Sequence, residues 1–139
     1  MKGIDLMRFA SDIRSQHPGI LLLRFTVGGL MLFHGVAKLM HGLGPIEGLL
    51  GKAGLPSWFA FGVLVGEIIA PLLVIAGLWV RWAALIIAVN MIVAVWLAHP
   101  NDIFALGQSG GYRLELQAFF FFCSLSIAWL AGGKAGRYR

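Results

Sequence analysis

LLLRFTVGGLMLFHGVAKLMH, residues 21–41, decides how the chain folds. The stretch is apolar enough to enter a bilayer, yet it carries Arg24, His34, Lys38 and His41. A helix of about 20 residues crosses a hydrocarbon core of roughly 30 Å. A charge inside that core costs about 3 kcal/mol or more unless it is paired or snorkels to the interface. Positions 24, 28, 31, 35, 38 and 42 follow one another at helical spacing. Arg24 and Lys38 therefore share a face with Gly28 and Gly35, and His34 and His41 border it. A stripe of charge and glycine on an otherwise apolar helix turns toward other helices and away from lipid. The rest of the chain must supply those helices and the counter-charges.

The composition agrees. Of 139 residues, 59% are hydrophobic and 12% charged, and the mean hydropathy is +0.85. A soluble domain carries about 25% charged residues, so this is a membrane-protein composition. The length suits one domain of several short spans. The net charge of +5 resides at the two ends and in short loops, which reads as topology and contact with anionic lipid; nucleic acid is not an expected partner. The single cysteine, Cys123, can form neither an internal disulfide nor a C-x-x-C redox pair, and no C-x-x-C-H motif for covalent haem is present.

Outward from the opening stretch, residues 1–18 form a mixed polar and apolar segment. Leu6, Phe9, Ala10 and Ile13 share one helical face, which suits either an interfacial helix or a solvated tail. The segment lacks the pattern of a cleaved signal, so the first span is expected to stay in the mature protein. The first span covers about 19–41, with Pro18 suited to its first turn. A glycine- and proline-rich connection follows, with a short helical or re-entrant turn expected at Ile46–Leu50. The second span, about 57–79, holds Glu67 four residues before Pro71, where a kink is expected. A tight turn at Gly77–Arg81 leads into the third span, about 82–98, with Asn90 near its middle. After a loop at 99–113, the fourth span covers about 114–132, and a basic tail closes the chain at 133–139. The expected fold is all-α, an integral-membrane, antiparallel bundle of four transmembrane helices.

Four spans place both termini on one side. Lys and Arg number seven in the tails and the loop between spans two and three, against two in the other loops. That asymmetry predicts cytoplasmic termini. Tryptophans at 58, 79, 82, 96 and 129 fall near span ends, as interfacial anchors do.

At 1.5 Å per residue, Arg24 lies in the inner leaflet, Glu67 close to the midplane, and His34, Lys38, His99, Glu115 and Gln117 toward the outer side. A partly hydrated pocket in the outer half of the bundle follows. Glu67 is the candidate for proton exchange, because burial near the midplane perturbs a carboxylate readily. His34, Lys38, Asn90, His99 and Glu115 are the candidate ligand-binding groups. Each has a plainer role open to it: Lys38 in a structural ion pair with Glu67 or Glu115, Asn90 as helix–helix glue, Ser124 and Ser126 bonded back to their own helix. Arg24 reaches either lipid phosphate or an ion-pair partner, and Arg81 sits with it among the structural or lipid-contacting cations. His34 and His41 stand about 10 Å apart along a helix, so they cannot share one metal ion, and no metal is expected.

The order of motifs resembles the DoxX family of small bacterial inner-membrane proteins. The matching pieces are Arg24, FHGVAKL at Phe33–Leu39, GLP at Gly54–Pro56, GE at Gly66–Glu67, IAGLWVR at Ile75–Arg81, and Glu115 opening span four. The resemblance implies a four-helix membrane bundle linked to membrane oxidoreductase systems, with His34, Lys38, Glu67 and Glu115 lining a polar pocket. The family takes its name from a subunit of a thiosulfate:quinone oxidoreductase. The chain has no cysteine pair, haem motif or nucleotide-binding loop, so in electron transfer a bound quinone or a redox partner protein must carry the electrons. Two readings stay open: an accessory subunit binding quinone or a small sulfur compound, or a non-catalytic carrier, lipid-binding or assembly protein with structural charges. Gly28, Gly29 and Gly35 would permit close contact within the bundle or in a homo-oligomer.

Overall fold

The computed structural model describes residues 17–131. The segment expected as an interfacial helix lies outside the described residues apart from its last two, and so does the basic tail at 133–139. The first helix, α1, runs Pro18–His41. Proline opens it at a position whose N–H would have no helical partner, and the His17 ring accepts from the Gly19 N–H at 3.2 Å. Gly42, at φ 85°, ends it. The short helix expected near Ile46–Leu50 is α2, Gly44–Lys52. Helix α3 then spans Ser57–Ala76.

Pro71 shapes α3. It has no N–H to return to the Glu67 carbonyl, and the preceding turn widens into a π-helical stretch at Val65–Ile69. The Ala70 N–H reaches back to the Val65 carbonyl, five residues away. Helix α3 ends at Gly77 (φ 79°), and Trp79 also adopts a left-handed conformation (φ 46°). Helix α4, Val80–Ala98, begins there, so Arg81 stands in its first turn. Helix α5 covers Glu115–Ala131. Its 17 residues extend about 25 Å, at the short end of what spans a bilayer. The other three long helices are each apolar and long enough to cross.

The four long helices form a ring in chain order. Helix α1 packs on α3, α3 on α4, α4 most extensively on α5, and α5 closes on α1. The register of α1 on α3 is antiparallel: Arg24 meets Val74 and Ile75, Gly28 meets Pro71, and Gly35 meets Glu67. The buried side of α1 consists of Ile20, Arg24, Val27, Gly28, Met31 and Gly35, the face read from its spacing. The core between the helices is built from Val27, Met31, Val74, Ile87, Met91, Phe120 and Ile127, with Ala70, Ala83, Ala84 and Ala128 allowing close approach. Large apolar side chains also cover the outside, among them Leu22, Phe33, Ile69, Val89 and Phe122. Helices that are apolar on both sides belong in a bilayer. All five tryptophans are exposed, Trp58 and Trp96 toward one end of the bundle, Trp79, Trp82 and Trp129 toward the other.

The 99–113 connection is folded. Leu106 pairs with Tyr112 in a single β-bridge, Gly107 donates to the Gly111 carbonyl at 2.7 Å, and the Tyr112 hydroxyl donates to the Ile103 carbonyl at 2.7 Å. Asp102 holds both ends, 3.1 Å from His99 Nδ1 and 3.4 Å from Arg113 Nε. In α5, Ser126 bonds back to the Phe122 carbonyl as expected, whereas the buried Ser124 hydroxyl has no hydrogen-bond partner among the described residues.

Candidate functional site

Two glycines and the π-helical stretch bring the polar groups together. Gly35 lets α1 lie against the α3 backbone: a Cβ there would stand 2.5 Å from the Glu67 carbonyl oxygen. One helical turn later, Lys38 reaches the Glu67 carboxylate and forms an ion pair with Oε1. Gly66 performs the same service for α4, since a Cβ at that position would lie 2.5 Å from Asn90 Cγ. Asn90 Nδ2 accordingly stands 3.5 Å from the same Oε1. The Glu67 side chain is 4% exposed and that of Lys38 31%. Glu67 Oε2 is buried and has no hydrogen-bond partner among the described residues. A buried carboxylate with one oxygen unpaired is an expensive arrangement unless something else approaches it.

That something has room. A cavity of about 130 Å³ opens beside the carboxylate, and all four long helices contribute to its wall. Helix α1 supplies Met31, His34 and Lys38; α3 supplies Glu67; α4 supplies Met91; α5 supplies Gln117 and Phe120. The His34 ring meets Phe120 edge-on, centroids 6.0 Å apart at 88°. This places the imidazole in the cavity wall beside Phe120. Chemically, the cavity offers a cation, a carboxylate acceptor, an imidazole and an amide, within walls that are otherwise apolar.

The remaining sequence candidates stand elsewhere. His99 belongs to the Asp102–Arg113 staple of the 99–113 loop. Glu115, exposed in the first turn of α5, lies next to Gly111. Neither lines the cavity. Arg81 is exposed on the first turn of α4. Arg24 meets the end of α3. It is 1% exposed; its Nε donates to the Val74 carbonyl at 2.9 Å and its Nη2 to the Ile75 carbonyl at 3.3 Å. These are end-of-helix carbonyls of α3, and a cation there also meets the negative end of the helix dipole. His41 bonds to the Ala37 carbonyl of its own helix at 2.8 Å. No group of three His, Cys, Asp or Glu suited to a metal ion occurs among the described residues. Gln117, a polar residue in the first turn of α5, is also a cavity residue. Its spacing of three from Phe120 and seven from the buried Ser124 marks one inward face of α5, a signal the surrounding run of phenylalanines obscures.

Comparison with known proteins gives a consistent picture. The DoxX family model matches residues 19–100. An "Uncharacterized protein" of Haemophilus influenzae is 30% identical over 123 residues, covering 85% of this chain and 90% of that protein. A Bacillus subtilis protein named "Putative oxidoreductase CatD" is 35% identical over 82 residues, covering 59% of this chain and 60% of that one. No solved structure matches the chain significantly.

Proposed function

The chain belongs to the DoxX family, and from that premise we propose that this multi-pass membrane protein is an accessory subunit of a membrane oxidoreductase system. Its cavity binds the head of a quinone-type molecule or a small sulfur compound. The observation that carries the reading is the Glu67 site: a buried carboxylate, salt-bridged on Oε1 by Lys38 and without a hydrogen-bond partner on Oε2 among the described residues, beside a cavity lined by four helices. In this role Lys38 attracts an anion or a quinone oxygen, His34 adds a hydrogen bond from the cavity wall, and Glu67 exchanges the proton. The oxidoreductase name carried by the Bacillus relative supports this class of function. The basic residues of the tails and of the loop between α3 and α4 support an inner-membrane location with both termini in the cytoplasm. The cavity then lies on the periplasmic half.

The test is mass spectrometry of protein purified gently with its native lipids, wild type beside Glu67→Gln. A stoichiometric quinone or sulfur compound present in the wild type and lost from the variant supports the reading. Bulk phospholipid alone in both samples refutes it and favours a carrier or assembly role with structural charges.

A further inference from the structure

Resting on that reading of the Glu67 cavity, we propose that its ligand is a tailed quinol, whose hydroxyl head occupies the cavity and whose hydrocarbon tail lies in the groove between α4 and α5. Three observations converge on it. The first is size. At about 130 Å³ the polar cavity falls below the roughly 300–1,000 Å³ of sites that hold organic ligands. A second depression of about 450 Å³ lies within that range and adjoins it, with Met91 and Gln117 lining both. The two spaces therefore border each other at these two side chains.

The second is chemistry. Apart from Gln117 and the Tyr112 ring, the groove is walled by apolar side chains, among them Val95, Ala118 and Phe121. Pro100, Ile103 and Tyr112 of the 99–113 loop close one end, and the Tyr112 hydroxyl is turned onto the Ile103 carbonyl. Its flanks, Ile92, Trp96 and Phe122, are 54%, 58% and 64% exposed on the lipid-facing surface. A soluble sulfur oxyanion has nothing to gain from such a wall, whereas a hydrocarbon chain can enter it sideways from the bilayer. The third is the sense of the hydrogen bond. Oε2 of Glu67 is a buried acceptor without a donor among the described residues, so a head that satisfies it must donate a hydrogen bond, as a hydroxyl does. A quinol does so, and the oxidised quinone, an acceptor only, does not.

The tail is apolar in the bilayer as well, so its preference for the groove comes from packing and not from escape from water. The measurement must therefore be made in nanodiscs with ligand expressed per lipid, which cancels partitioning. The probes are a decyl benzoquinol, the same head group without the tail, and thiosulfate, titrated against wild type, Ala118→Phe, Val95→Phe and Glu67→Gln. The two phenylalanine variants fill the groove from opposite helices, so one folded variant suffices. The decyl quinol is expected to bind wild type at least about tenfold tighter than the tail-less head. Filling the groove should erase that preference while leaving the tail-less head bound within about twofold, and Glu67→Gln should weaken both. Equal binding of tailed and tail-less heads, or a preference that survives in a folded groove variant, would overturn the groove assignment while leaving the cavity reading intact. Binding of thiosulfate alone would overturn it too. Failure of every probe to bind wild type would overturn the cavity reading and this inference together.

Discussion

Replacing Gly35 with alanine should separate α1 from α3 and disable the site without touching a polar group. The added Cβ would stand 2.5 Å from the Glu67 carbonyl oxygen, 2.5 Å from Ile68 Cγ1 and 2.9 Å from the Glu67 carbonyl carbon. Ile68 can change rotamer, but the two backbone atoms cannot. The helices must part by roughly 1 Å before the Cβ reaches ordinary contact, and that gap propagates one turn to Lys38. Overpacking of this kind costs about 1–3 kcal/mol, and the displaced Lys38 weakens its hold on a carboxylate that stays buried. Gly29 is the internal control: a Cβ there meets nothing within 4 Å, so Gly29→Ala should be neutral or stabilise by up to about 1 kcal/mol through helix propensity. The assay is thermal unfolding of both variants in the same detergent or nanodisc, followed by quinol titration. Gly35→Ala should melt at least roughly 4 °C below wild type and Gly29→Ala at or above it. Equal melting temperatures for the two variants would refute the close approach of α1 to the Glu67 backbone, and with it the explanation of how Lys38 reaches its partner.

Arg24→Lys should cost about 1.5–3 kcal/mol, because an ammonium cannot reproduce the guanidinium fork that holds the Val74 and Ile75 carbonyls; a melting temperature equal to wild type would show that the fork does not matter. The two halves of the ion pair should respond unequally. Lys38→Met strands a carboxylate that is 4% exposed and should destabilise on the order of 3 kcal/mol, whereas Glu67→Gln leaves a lysine that is 31% exposed and can snorkel, so it should cost less. The double variant should recover part of the Lys38→Met loss. A double-mutant cycle on melting temperatures measures this, and the reverse order of the single variants would refute the burial argument.

Much of this architecture follows from local chemistry that any reader of the chain can apply. Apolar runs of bilayer length, with glycine and proline between them, require an α-helical membrane bundle, because a backbone inside lipid must satisfy its own hydrogen bonds. The inward face of α1 follows from spacing, since a charge on a span cannot face lipid. Glu67 and Pro71, four residues apart, place an irregular turn in α3, and packing gives that turn its π-helical form. Partner choice is different, because it depends on the register between helices that are remote in sequence. Lys38 has two candidate carboxylates, Glu67 and Glu115; the close approach at Gly35 delivers it to Glu67, while Glu115 turns to Gly111 of the 99–113 loop. His99 matched the depth of the pocket but pairs with Asp102, three residues away, within a loop whose fold has no periodic signature. Arg24 reaches two carbonyls at the end of α3, a contact that only the packing of α1 on α3 supplies. Depth in the membrane is a property of one helix and is written in its sequence. Contact is a property of two, and only packing the helices together decides it.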